Sequence, residues 1–326
     1  MSERIEIDDA LSHDTGTTLA QDALEGLTRA HKELSPKHLY DSRGAALFDE
    51  ICELPDYYPT RTERLILERH AGEIAAASGA AELVELGSGS AAKTRVLLDA
   101  MAAAGMLERY VPVDVTERVV RESAAELIAE YPGLRVHGLI GDYERHLGRL
   151  PAAAGPRLLA FLGGTIGNFD PAQRGGFLRA IAELLAPGDH LLLGTDLVKD
   201  PATLEAAYND SAGVTAEFNR NILLVMNREL GANFDPTAFD HVAVFDQRNE
   251  WIAISLRARE AQEVVLPAIG LTAAFAAGEE LRTQISAKFT RDRVSSELAA
   301  VGLELVAWHT DENAWFGLSL ARAPAA

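Results

Sequence analysis

Residues 84–94 read Val-Glu-Leu-Gly-Ser-Gly-Ser-Ala-Ala-Lys-Thr. Gly87 and Gly89 let the backbone approach a ligand without an intruding Cβ, and Lys93 adds a cation close by. The turn follows AELVELG (81–87), an apolar run that reads as a strand. In an open parallel sheet, ligands bind beyond the carboxyl ends of such strands. Three ligands suit the turn: a nucleoside triphosphate, a dinucleotide, or the adenosyl group of S-adenosylmethionine. A P-loop, G-x-x-x-x-G-K-[ST], would match Gly87 to Thr94 but for Ala92, which stands where the second Gly should be. Without that Gly the backbone N–H groups lose the curvature that wraps phosphates. No later apolar run ends in an obvious magnesium-binding Asp with a catalytic partner, so a triphosphate is disfavoured. The dinucleotide pattern G-x-G-x-x-G has Ala92 at its third position, where Ala is tolerated, and that reading stays open.

The methyl-donor reading fits best. Glu85 lies two residues before the first Gly, an arrangement typical of class I methyltransferases. Asp114 ends the next strand-like run, RYVPVD, where two acceptor oxygens suit vicinal ribose hydroxyls. Gly141-Asp142-Tyr143 follows a third run and offers a carboxylate and a ring to an adenine.

These residues need a frame. From about 61 to 196, short apolar runs alternate with amphipathic ones. Strands are expected at 81–87, 109–115, 134–140, 157–163 and 190–196, with helices at 94–104, 117–131 and from Asp170-Pro171, an N-cap followed by proline. That alternation implies a parallel, doubly wound α/β sheet. Residues 197–286 break the rhythm: a helical portion over about 201–230, then strand-like runs with a turn at Gln247-Arg248-Asn249. A helix over 291–300 and a hairpin around Asp311-Glu312-Asn313 resume the sheet. The expected organisation is a Rossmann-like core over 61–196 and 287–326, and a second α+β domain over 1–60 and 197–286.

The chain has 326 residues, 48% of them hydrophobic, enough for a large core. Thirty Lys plus Arg against 49 Asp plus Glu leave a net charge of −19, which argues against nucleic acid and anionic membrane as partners. Cys52 is the only cysteine, the acidic N-terminus is unlike a signal peptide, and no apolar run is long enough to span a membrane. A cytoplasmic monomer is expected. The nine histidines show no His-x-x-x-His spacing, so no metal is expected, and Gly87-Ser88-Gly89 is not the G-x-S-x-G elbow of a hydrolase.

At the fourth strand the likeness narrows. FLGGTIGNF (161–169), GTDLVKD (194–200), FNRN (218–221), LYDSRGAALFDEICELPDYYPTRTE (39–63) and FGLSLA (316–321) resemble the histidine Nα-methyltransferases of ergothioneine biosynthesis, over about Leu19 to Ala321. The wider family includes fungal enzymes that N-methylate tryptophan-derived amines. The resemblance implies a class I methyltransferase core with a substrate-recognition domain. It implies S-adenosylmethionine contacts from Tyr40, Gly87, Lys93, Asp114, Asp142 and Tyr143. It implies an amino-acid substrate held by Tyr57, Gly163, Asn168 and Tyr208, with Ser286 at its side-chain end. Asn168, Gly163 and Tyr57 would orient the amine and carboxylate for methyl transfer, and up to three methyl groups would be added.

Two positions depart from the pattern. Gln284 stands where the histidine enzymes carry a Glu against the imidazole, and Ile254 replaces a Met lining the same pocket. Gln still forms a hydrogen bond but brings no charge, and a charge-assisted bond is about twice as strong as a neutral one. Histidine is the expected substrate. Another aromatic amino acid, such as tryptophan or tyrosine, and a non-catalytic donor-binding protein are the alternatives.

Overall fold

The structure, a computed structural model, describes residues 4–13, 18–89, 91 and 93–324. Ala92, which separates the glycine turn from a P-loop, lies outside them. Along the chain come β1 (Ile5–Asp9), α1 (Leu19–Thr28), α2 (Ser42–Glu53), α3 (Pro59–Ser78), β2 (Glu82–Leu86), α4 (Thr94–Ala103), β3 (Arg109–Asp114), α5 (Glu117–Glu130) and β4 (Arg135–Ile140). Next are β5 (Arg157–Phe161), α6 (Pro171–Leu184), β6 (His190–Asp196), α7 (Pro201–Ala206), α8 (Val214–Leu230), β7 (Phe239–Asp246) and β8 (Trp251–Ala258). The chain ends with β9 (Gln262–Leu266), β10 (Leu271–Phe275), β11 (Glu280–Ala287), α9 (Arg291–Ala300), β12 (Glu304–Thr310) and β13 (Phe316–Arg322).

The chain divides into two compact units: Met1–Asp14, Arg61–Leu197 and Phe289–Ala326 in one, Thr15–Thr60 and Val198–Lys288 in the other. The first holds an eight-stranded sheet in the order β1-β4-β3-β2-β5-β6-β13-β12. Pairing is parallel from β1 to β6 and antiparallel at β13 and β12, so a hairpin closes an otherwise parallel sheet. Every residue of β2, β5 and β6 is buried, which is why their centres read as apolar, with the polar residues Glu82, Glu85, Arg157, His190, Thr195 and Asp196 buried among them. Leu83, Leu158, Leu192 and Phe316 meet in the core. Helix α6 starts where its cap demands. The Asp170 side chain accepts from the N–H groups of Ala172 and Gln173, and Gln173 caps back onto Asp170.

One expected boundary is corrected. Residues 1–60 were expected to pack wholly with the insertion, but β1 pairs with β4, from Ile5 opposite Val136 to Asp9 opposite Ile140. Ile5 and Ile7 alternate with Glu6 and Asp8, as an edge strand with one covered face requires. Two apolar residues among acids are too short a signal to tell from a polar tail.

The second unit has a three-stranded antiparallel sheet, β11-β8-β7, and a β9-β10 hairpin. The single helical portion expected over 201–230 is two helices, interrupted at Gly213, whose φ of +78° caps the start of α8. Strand β10 is absent from the sequence reading: LTAAF carries little β-branched or aromatic signal. Among the described residues no helix is long and apolar enough to cross a membrane.

Candidate active site

In the first unit the strand order turns outward in both directions from β2 and β5, the switch point at which open α/β sheets bind ligands. Four carboxyl ends of adjacent parallel strands converge there: β2 with Gly87–Gly89, β3 with Asp114, β4 with Asp142-Tyr143, and β5 with Gly163 to Asn168. Gly87 and Gly89 take φ of +71° and +48°, left-handed values that glycine adopts without steric cost. The Gly87 and Ser88 N–H groups donate to Val113 O at 2.8 and 3.2 Å. Asp114 pins the turn from the neighbouring strand. Its Oδ2 accepts from Gly89 N–H at 3.0 Å and its Oδ1 from Thr116 N–H at 2.9 Å, and each oxygen keeps a second lone-pair direction for a diol.

The Tyr143 ring packs edge-on against Phe161 and Phe177, with centroids 5.3 and 5.9 Å away. A Cβ on Gly87 would stand 3.6 Å from Tyr143 Cε1, so the bare glycine leaves an open face beside an aromatic ring. Asp142 is fixed locally: its Oδ1 accepts from Glu144 N–H at 2.8 Å, and its own N–H donates to His146 Nδ1 at 3.0 Å. An open glycine face, a diol acceptor, an aromatic wall and a lysine make a donor set that fits S-adenosylmethionine.

Glu85 does something the sequence did not suggest. It is buried, bonded by Thr94 Oγ1 at 2.5 Å and by Tyr110 Oη at 2.6 Å. Burial pushes its pKa from 4.5 up to about 7, against the opposing pull of those two hydroxyls. The folded-state value lies above the unfolded one, so the group favours folding fully below pH 4.5 and loses that contribution as pH rises through about 7. A shift of this size is worth on the order of 3 kcal/mol. Glu85→Gln is therefore expected to flatten the fall in unfolding free energy between pH 4.5 and 7.5. Urea denaturation at both values checks it, and an unchanged slope would mean another group titrates.

A second buried carboxylate was missed altogether. Glu63 of α3 is fully buried; its Oε1 accepts from Gly163 N–H at 2.7 Å and its Oε2 pairs with the Lys93 ammonium. It ties the β5 exit to the glycine turn. Gly163 and Gly164 have φ of +76° and +66° and lead into a 3-10 turn, Thr165–Asn168, that presents half-buried Asn168. Glu63 ends one of the quoted sequence runs, yet only its depth on α3 distinguishes it from the exposed acids around it.

The remaining expected residues lie in the second unit, where they form one connected series. Tyr40 packs on Phe48 and Phe218 (5.6 and 5.4 Å), Phe48 on Tyr57 (6.2 Å), and Tyr57 on Tyr208 (6.1 Å). Tyr208 Oη lies 2.8 Å from Ser286 Oγ. Next to it in sequence, Tyr58 takes a different partner, accepting from Lys199 Nζ at 2.7 Å. Gln284 of β11 sits directly opposite Ile254 of β8, so the two departures from the family pattern are cross-strand neighbours. Lys288, unremarked in the sequence, is buried beside Tyr208 and Ser286.

Among the described residues another donor group involves none of these. His70 and Glu73 of α3 and His309 of β12 place one ligand-type atom each within 4.8 Å of one another. A set split between a helix and a distant strand leaves no spacing to read in the sequence.

The sheet order, the glycine turn on β2 and the acid on β3 define a Rossmann-like class I methyltransferase core. More narrowly, the chain belongs to the histidine-specific, S-adenosylmethionine-dependent methyltransferase family, whose model matches residues 19–323. It is 54% identical over 303 residues to the histidine N-alpha-methyltransferase of Mycolicibacterium smegmatis, covering 93% of this chain and 94% of that protein. The histidine N-alpha-methyltransferase of Mycobacterium tuberculosis is 49% identical over 319 residues, 98% and 99% of the two chains. Ergothioneine biosynthesis protein 1 of Neurospora crassa is 35% identical over 204 residues, 61% of this chain and 23% of that one.

Proposed function

We propose that this protein transfers methyl groups from S-adenosylmethionine to the α-amino group of L-histidine, giving the trimethylated betaine on the route to ergothioneine. The near-full-length identity to the two histidine enzymes carries the reading. When bound, the donor supplies a sulfonium methyl group open to in-line displacement. The protein's task is then positioning, which can be worth several kcal/mol of barrier. Lys93 would meet the donor's carboxylate, Asp114 its ribose hydroxyls, and Asp142 and Tyr143 its adenine, with Gly87 admitting the methionine end and Tyr40 a further donor contact. Asn168, the Gly163 carbonyl and Tyr57 would hold the substrate amine, as its neutral lone pair, and its carboxylate. Tyr208, Ser286, Gln284 and Ile254 would surround the ring. Incubating the protein with labelled donor and a panel of L-histidine, L-tryptophan and L-tyrosine, with product masses read out, tests this. Methylation of tryptophan or tyrosine in preference to histidine would sink it.

The Gln284–Ile254 pair favours that second reading, another aromatic amino acid, because both changes fall on one spot of the sheet. Gln284→Glu separates the two. If histidine is the substrate, restoring the carboxylate is expected to lower KM for L-histidine about five- to tenfold, the roughly 1 kcal/mol between a neutral and a charge-assisted bond. A rise in KM would point to different pocket chemistry.

A further inference from the structure

Lys288 directly follows β11 and is fully buried. An ammonium in such a place is costly unless its hydrogens are satisfied. Its Nζ donates to Ser286 Oγ at 2.7 Å and to Tyr208 Oη at 3.1 Å, and it stands 4.8 Å from the Tyr208 ring centroid. The two hydroxyl oxygens are 2.8 Å apart.

This triangle restricts where the hydrogens go. An ammonium offers only donors, so both hydroxyl oxygens accept from it. One hydroxyl donates to the other across the 2.8 Å gap, and the hydrogen of the second is directed out of the triangle. A phenol is more acidic than an alcohol and hence the better donor. Tyr208 therefore donates inward to Ser286, and Ser286 donates outward. Residues 284, 286 and 288 alternate onto one face of an extended chain, so this outward hydrogen lies on the side of the sheet that carries Gln284.

We propose that Lys288 is a positioning residue for substrate selection. It orders the Tyr208–Ser286 pair so that the Ser286 hydroxyl is presented as a donor to an acceptor atom on the substrate's aromatic side chain. The inference rests on the proposed function, in which that atom is the lone-pair nitrogen of a neutral imidazole. Without Lys288, nothing in the triangle stops the Ser286 hydroxyl from turning inward to Tyr208. A site built around a donor rejects a ring without an acceptor, because the donor would be left unpaired.

The test compares Lys288→Met, Lys288→Arg, Ser286→Ala and the Ser286→Ala/Lys288→Met double variant. KM and kcat are measured for L-histidine. Affinities for L-histidine and L-phenylalanine are measured in the presence of S-adenosylhomocysteine. Lys288→Met is expected to raise KM for L-histidine on the order of tenfold or more, with kcat changed less than about threefold. Its preference for histidine over phenylalanine should collapse, Lys288→Arg should recover part of it, and the double variant should be no worse than the worse single one. Equal losses on histidine and phenylalanine, or additive penalties in the double variant, would overturn the proposal. If Lys288→Met does not fold, Ser286→Ala decides alone, since an unchanged histidine preference in that variant overturns the outward donor. A wild type that prefers tyrosine, whose hydroxyl also accepts, would fail the histidine reading while the same variants, assayed on tyrosine, still judge Lys288. A preference for tryptophan, whose indole N–H only donates, would overturn both.

Discussion

Replacing Asn168 by alanine is expected to lower kcat on the order of 10²–10³-fold while the affinity for S-adenosylhomocysteine stays within about threefold. The side chain is well placed for an effect on chemistry alone. It ends the 3-10 turn that leaves β5, held on one side by the Gly163 N–H bond to buried Glu63 and on the other by the Asp170 cap of α6. The turn and the helix after it have bonds that do not involve this side chain: Gly167 N–H donates to Gly164 O at 2.9 Å and the helix carries its own capping box. The donor-side residues Gly87, Asp114 and Asp142 sit on other strand ends and keep their bonds. What is lost is the amide that would orient the substrate, and misplacing an amine in an in-line displacement lowers the rate steeply. Steady-state kinetics with calorimetric titration of S-adenosylhomocysteine reads both halves. An unchanged kcat would remove Asn168 from the site, and a parallel loss of donor affinity would make it a support of the turn instead.

The rim on which Asn168 stands was readable because each of its parts is local. Buried parallel strands write themselves as apolar runs, Asp170-Pro171 marks a helix start, and a glycine turn after the first strand announces a ligand. What escaped is whatever depends on partners far along the chain. Glu85 was legible as a marker beside the glycine turn, but its bonds to Thr94 and Tyr110 depend on how α4 and β3 come to lie against β2. Glu63 looks like any helix-surface acid until α3 is seen to bring it to Gly163, 100 residues away. Gln284 and Ile254 could be named one at a time, yet their adjacency depends on a register shift between Arg282 and Gln284 that no periodicity reveals. Lys288 is the same case, since a lysine after a strand reads as a solvated charge. The N-terminal strand failed for the opposite reason: its signal was local but only two residues strong.

Glu63 gives the second large expectation. Gly194→Ala should lower the unfolding free energy by about 2–4 kcal/mol and weaken S-adenosylhomocysteine binding with it. A Cβ at this position of β6 would overlap Glu63 Oε1, with Phe316 Cε1 at 3.3 Å and the Leu162 Cα at 3.4 Å closing the other sides. β6 cannot retreat, for it is paired to β5 on one edge and to β13 on the other. The carboxylate has to move, and it then gives up both the Gly163 N–H and the Lys93 ammonium. A buried charge stripped of its partners is among the costliest defects a core can carry. The double variant Glu63→Ala/Gly194→Ala separates this from simple crowding. If the overlap with Glu63 is the cause, removing the carboxylate makes the added methyl nearly harmless, and the two penalties fall well short of their sum. If they add, the methyl group is clashing with Phe316 and Leu162 instead, and Glu63 is not what keeps position 194 a glycine.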